Sequence, residues 1–271
     1  MWFLMFGYQN PWATLGLILM AAVSFADDLM HLSSILRIVV HLTAVALLFW
    51  QFSVFNLPWP ALLAALIFTI GWINAFNFMD GINGITAFYA LVALGTFLYL
   101  NFSVSFVSGD LIILLIISVL IFIFFNARKK ALTFAGDVGS ISLAFMLAWM
   151  MISLMLKSGV IVYILFFVVY GIDTVVTIVI RLIKKENIFK AHRTHLYQYL
   201  SNELGWPHLS VSAIYAFIQL IINILTITLI RERMMTKFVF LLFITLPGVI
   251  YLVIRYFVIR RVKRKNKLAV L

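Results

Sequence analysis

Long apolar stretches alternate along this chain with short clusters of acids, asparagines, glycines and basic residues. Segments of about 20 apolar residues can cross a hydrocarbon core of roughly 30 Å. On that measure spans read at Trp12–Ala26, Ile35–Ser53, Trp59–Phe76, Ile85–Phe102, Leu111–Asn126, Ile141–Leu156, Val160–Ile180, Leu209–Ile230 and Phe238–Phe257, the first of them short. The pattern predicts an all-α, polytopic membrane protein of about nine transmembrane helices, with no repeat and no low-complexity linker. Residues 1–271 form a single integral domain on this reading. An odd number of spans puts the two termini on opposite sides.

The polar clusters stand at the ends of these spans. Asp27-Asp28 follows the first. Asn74-Ala-Phe-Asn77-Phe-Met-Asp80-Gly-Ile-Asn83-Gly84 follows the third, and Gly136-Asp137-Val-Gly139-Ser140 follows the fifth. The long loop after the seventh span holds His192-Arg193-Thr194-His195 among Lys184, Lys185 and Lys190. Basic residues gather in cytoplasmic loops. A cytoplasmic C-terminus leaves sixteen of the twenty lysines and arginines inside, against Lys157, Arg231, Arg233 and Lys237 outside. All four clusters then face the cytoplasm.

Composition removes the soluble classes. The sequence is 65% hydrophobic and 11% charged, with a mean hydropathy of +1.14, whereas soluble domains carry about 25% charged residues. The net charge of +11 would point to nucleic acid in a soluble protein. Here the basic residues flank apolar runs, so no nucleic-acid partner is expected. The chain has no cysteine, which excludes disulfides, thiolate metal sites and a cysteine nucleophile. Met1–Gly7 lacks the basic region and cleavage site of a removed signal peptide. The Arg260–Lys267 tail reads as attraction to anionic lipid headgroups.

Each cluster suits a chemistry. Asp27 and Asp28 have no basic residue beside them in sequence, and carboxylates at a membrane edge are costly unless solvated or functional. Such a pair can bind a divalent cation or take a proton. Asn74, Asn77 and Asp80, spaced by three, share one face of a helical end. Gly81 and Gly84 allow a tight turn close to a ligand. Asp137 between two glycines is either a helix cap or a hard ligand for Mg²⁺, which keeps waters and substrate phosphates in its shell. Arg193 can fork onto phosphate oxygens, with the flanking imidazoles donating; without cysteines or a third acidic ligand, zinc is not expected there. Asp173 and His41, inside spans, read as buried polar contacts. Together the clusters favour phosphoryl transfer between a nucleotide-activated donor and a lipid phosphate, by positioning and charge neutralisation.

These four motifs, in this order and on one side, resemble those of the polyprenyl-phosphate N-acetylhexosamine-1-phosphate transferases, and the likeness covers nearly the whole chain. The form His192-Arg-Thr-His-Leu-Tyr-Gln198 looks most like the branch that initiates O-antigen synthesis. The resemblance implies a multi-pass protein of the bacterial inner membrane. Its lipid phosphate, undecaprenyl phosphate, would attack the β-phosphate of a UDP-N-acetylhexosamine and release UMP. It further implies that Asn77 and Asp137 hold Mg²⁺, with Mn²⁺ able to substitute, and that Asp27 or Asp28 acts on the lipid phosphate. Arg37 would steady that phosphate, Asn83 would lie near the uridine, and Asn74 and Asp80 would support the loop. His192, Arg193 and His195 would clamp the diphosphate. A second copy of the chain is a candidate partner. Members of the family usually carry two further spans and a Pro-Arg-Gly-Gly-rich loop ahead of the aspartate pair, so the chain reads as N-terminally shortened. The rival readings are a membrane transporter, which would place its acids near the bilayer midplane, and an inactive scaffold.

Overall fold

The computed structural model describes residues 7–30, 32–187 and 193–268. Among these residues the regular structure is entirely helical. The main helices are α1 (Pro11–Met30), α2 (Ser34–Gln51), α3 (Trp59–Phe78), α4 (Ile85–Val104), α5 (Gly109–Asn126), α6 (Gly136–Ser158) and α7 (Val168–Ile183). A single turn, α8 (Leu196–Gln198), leads into a wider turn, Tyr199–Glu203, before α9 (His208–Arg231) and α10 (Lys237–Leu268). A tight helical stretch, Ile161–Phe167, precedes α7 and continues into it.

Among the described residues eight helices are long and apolar enough to cross a membrane, and the apolar part of α2, Ile35–Gln51, is shorter. Its limits are local. Ser33 caps its start by accepting the N–H of Leu36, satisfying a donor that the first turn leaves unpaired. Ser53 ends it with a left-handed backbone at φ 54°. The protein is thus an all-α, polytopic membrane protein. Helix α1 runs on to Met30, where the apolar run stops at Ala26.

The chain gathers into two compact units. The first is Met1–Asp80, Ala93–Ile121 and Thr133–Val160; the second is Gly81–Val92, Phe122–Leu132 and Ile161–Leu271. Two of the five boundaries, after Val92 and after Ile121, fall within α4 and α5.

In the first unit α6 is the central helix, packed against α1 and α3. Small residues permit the approach. A β-carbon on Gly16 of α1 would lie 2.9 Å from the Ala44 carbonyl of α2 and 2.9 Å from the Phe145 ring of α6. Trp72 of α3 donates its indole N–H to the Ala144 carbonyl at 3.1 Å, giving a buried polar edge its partner. Helix α6 ends at Gly159, whose φ of +71° suits glycine. The turn between α4 and α5 is held by Asn101, whose side-chain oxygen accepts the N–H groups of Phe106 and Val107.

In the second unit α7, α9 and α10 pack together with the Ile161–Phe167 stretch. Its interior is unusually polar for a membrane protein. Tyr89 stacks on Tyr170 at 3.6 Å between ring centres and donates to Gln219 at 2.6 Å; Gln219 in turn donates to Asn223 and to the Leu165 carbonyl. Pairing each group inside the unit avoids the several kcal/mol that an unsatisfied polar group costs away from water.

Candidate active site

Asp27 and Asp28 stand in the last turn of α1, at the negative end of that helix's dipole, where a carboxylate is disfavoured. The structure gives the two neighbours different surroundings. Asp27 is engaged on both oxygens: one accepts the N–H of Leu32 at 2.7 Å, the other the Arg37 guanidinium at 2.8 Å. The ion pair is well sheltered on the acid's side, with 13% of Asp27 and 38% of Arg37 exposed. Asp27 therefore ties the end of α1 to the start of α2. Asp28 is exposed and accepts no hydrogen bond among the described residues.

Asp137 occupies the opposite electrostatic setting, in the first turn of α6, where the helix N-terminus favours an anion. Asn77, in the last turn of α3, reaches it with a side-chain hydrogen bond, and Asp28, Asp27 and Arg37 all lie near enough for their charges to act on it. Ser140 donates to the side-chain oxygen of Asn77 at 2.7 Å. The same hydroxyl lies 2.7 Å from the Gly136 carbonyl, so its single proton has two oxygens to choose between. Gly136 completes the cluster. Its φ of +60° suits glycine, and a β-carbon there would lie 3.5 Å from Asp28 Oδ2, so the start of α6 and the end of α1 are within van der Waals reach.

The first unit thus brings Asp27, Asp28, Arg37, Asn77 and Asp137 together from four helices. Asn77, expected as an Mg²⁺ ligand, lies beside Asp137 with a side-chain hydrogen bond to it and meets the Ser140 hydroxyl at 2.7 Å. Asn74, expected to support the loop, bonds back to the Ile70 carbonyl of its own helix at 2.8 Å. Asp80 lies two residues beyond the end of α3, half-buried, its N–H on the Asn77 carbonyl at 3.1 Å.

The remaining expected residues belong to the second unit. Asn83 is 8% exposed. Its amide donates to the Arg128 carbonyl at 2.7 Å, its backbone N–H faces His208 at 3.4 Å, and its carbonyl accepts from Ser212 at 2.9 Å. Asn83 thus knots three segments together. Arg193 is exposed. His192 lies outside the described residues. His195 is fully buried, with Nδ1 on Asp173 Oδ1 at 2.9 Å. The reading of Asp173 as a buried polar contact is borne out.

Some partners were not singled out from sequence. Tyr251 and Arg255, one turn apart on α10, both join the Asp173 cluster. An arginine within an apolar run, with a tyrosine four residues before it, is the signal that marks them. Tyr197 lies against Gly81, a contact no local pattern announces.

The acid cluster fits a divalent cation. Mg²⁺ is bound through one or two carboxylates while substrate phosphates and waters fill its remaining positions. Asp28 and Asp137 supply hard oxygens of that kind; among the described residues no group of three His, Asp or Glu side chains is placed to hold an ion.

Glycosyl transferase family 4 matches residues 11–155, more than half of the chain. The chain belongs to this family. The matched stretch carries Asp27 through Ser140 and ends before Arg193. Among its relatives in glycosyl transferase family 4 is the probable undecaprenyl-phosphate N-acetylglucosaminyl 1-phosphate transferase of Bacillus subtilis strain 168, 25% identical over 74% of this chain and 61% of that protein. The phospho-N-acetylmuramoyl-pentapeptide-transferases of Latilactobacillus sakei and Borrelia duttonii are each 30% identical, over 58% and 59% of this chain and 46% and 49% of theirs. The chain spans about half the length of these curated relatives.

Proposed function

We propose that this member of glycosyl transferase family 4 transfers a sugar-1-phosphate from a UDP-N-acetylhexosamine to undecaprenyl phosphate on the cytoplasmic face of a bacterial inner membrane. The product begins a cell-surface polysaccharide such as O-antigen. One observation carries the reading: Asp28 and Asp137 lie close together at the end of the first unit, one exposed and the other bracketed by Asn77 and Ser140, with Arg37 alongside. The names of the relatives support the lipid and the sugar-phosphate. The inward bias of lysine and arginine supports the sidedness.

In this reading an oxygen of the lipid phosphate attacks the β-phosphorus of the donor. The bond from that phosphorus to the bridging oxygen breaks, and UMP leaves with the bonding electrons. Asp28, exposed and without a hydrogen-bond donor among the described residues, takes any proton the lipid phosphate carries. Asp27 holds Arg37 in place, and the outer edge of that guanidinium meets the lipid phosphate. Asp137, oriented by Asn77, would hold Mg²⁺. When bound, the ion supplies charge neutralisation for the diphosphate. Arg193 is a further ligand for phosphate oxygens.

The test is UMP release by purified protein given undecaprenyl phosphate, Mg²⁺ and a panel of UDP-N-acetylhexosamines. Release that requires both lipid and metal is expected, with UDP-N-acetylglucosamine among the best donors. Release without the lipid acceptor, or none with any donor, overturns the reading.

A further inference from the structure

Asp173 is fully buried in α7 and is surrounded by groups able to donate. Tyr215 of α9 reaches Oδ2 at 2.6 Å. Oδ1 faces Tyr251 of α10 at 3.0 Å, His195 Nδ1 at 2.9 Å and the N–H of Leu196 at 3.4 Å. Arg255 donates to the Tyr251 hydroxyl at 2.9 Å and to Thr177 at 3.1 Å, and its guanidinium lies over the Tyr199 ring. Three helices thus converge on one carboxylate, and that carboxylate grips the chain at His195 and Leu196. A buried carboxylate and a buried guanidinium are costly in a membrane protein, and such groups persist where they fix a geometry.

We infer that Asp173 and His195 are positioning residues: they tether the basic loop at its C-terminal end, so that Arg193, two residues away, is presented in a fixed place to the diphosphate of the donor. The inference deepens the proposed function and rests on it for the identity of the ligand. It gives His195 a different job from a substrate clamp. The imidazole acts through its Nδ1–H on Asp173, and Asp173 is kept in place by Tyr215, Tyr251 and, through Tyr251, by Arg255.

The chemistry of the side chains allows a sharp test. Asparagine places an amide N–H close to where Nδ1–H of histidine lies, and has nothing at the position of Nε2. His195→Asn keeps the tether; His195→Ala and Asp173→Asn remove it. Each purified full-length variant is assayed for kcat and for KM toward each substrate. Separately, without substrate, trypsin cleavage after Arg193 is timed by mass spectrometry.

The tether requires that His195→Ala and Asp173→Asn each raise KM for the UDP-sugar at least tenfold, with KM for the lipid within twofold. They should also speed cleavage after Arg193 at least tenfold, and His195→Asn should stay within threefold of the parent in both readouts. If His195→Asn is as impaired as His195→Ala while cleavage is unchanged, the ring acts on substrate and the tether is wrong. Unchanged KM despite faster cleavage also overturns the positioning role. Should no form of the protein release UMP, the cleavage rates still decide the tether, and only the proposed function fails. Tyr215→Phe, which removes one hydroxyl from the cluster, carries the same comparison if Asp173→Asn does not fold.

Discussion

The hydroxyl of Tyr197 occupies the space that a β-carbon on Gly81 would need. Gly81 belongs to the asparagine- and glycine-rich motif that follows α3, and Tyr197 to the turn that follows His195. Both lie in the second unit, so the motif and the basic loop are in direct contact there. The glycine is needed for space: its side must stay bare for the tyrosine to seat.

Gly81→Ala should therefore displace Tyr197 and with it the stacked ring of His195, whose centre is 5.8 Å away. An overpacked contact costs about 1–3 kcal/mol, and transfer should fall by roughly tenfold or more as the loop shifts. Combining it with Tyr197→Phe, which removes the clashing oxygen, should restore part of the loss. Turnover by the double variant no better than by Gly81→Ala alone would show that this contact is not what the glycine serves.

The two neighbouring aspartates should separate in their effects. Asp27→Asn weakens the charged partner of Arg37 and the anchor of the Leu32 N–H, and the helix connection should loosen. A hydrogen bond to a charged group contributes about 1.5–3 kcal/mol, so the melting temperature should drop by several degrees. Asp28 has no such ties among the described residues, and Asp28→Asn should leave the melting temperature within about a degree while UMP release disappears. Thermal unfolding in detergent together with the UMP assay decides between them; loss of stability in Asp28→Asn with retained release would reverse the assignment.

Ser140 offers a finer probe, because it touches neither lipid nor donor in the proposed reaction. Its hydroxyl meets the side chain of Asn77, which in turn holds Asp137. Ser140→Ala should lower kcat about tenfold, the equivalent of roughly 1.4 kcal/mol, without changing KM for the lipid. Ser140→Thr, which keeps the hydroxyl, should recover most of the rate. A variant pair with equal kcat would show that Asn77 holds Asp137 unaided.

Much of this arrangement is visible in the residues themselves. The apolar runs give the helices because nothing else satisfies the backbone in lipid. The acids and asparagines at their ends give the cluster, because residues that cost energy at a membrane edge stand out. What sequence does not carry is which polar group faces which. Asp27 and Asp28 are alike as neighbours, and only the turn from α1 to α2 puts one on Arg37 and leaves the other exposed. Asn83 sits in a motif that reads as a ligand site, yet its contacts with Arg128 and His208 come from residues 45 and 125 positions away. His195 reads as part of a phosphate clamp beside Arg193, and the structure buries it against an acid on α7.

Asp137 should be the residue at which metal dependence and transfer meet. It sits at a helix N-terminus, so its charge is partly balanced even without an ion, and Asp137→Asn keeps the shape while removing the charge. The variant should fold and insert normally, with a melting temperature close to that of the parent, and should release no UMP at Mg²⁺ concentrations that saturate the parent. Chelation with EDTA should silence the parent in the same way, and added Mg²⁺ should restore it. Parent protein should also gain thermal stability when Mg²⁺ is added, in proportion to RT ln(1 + [Mg²⁺]/Kd), and the variant should not. Because that shift is read without any substrate, it separates a lost ion from a lost reaction. A variant that still gains stability with Mg²⁺ but cannot turn over would place the ion elsewhere and leave Asp137 a role in the reaction alone.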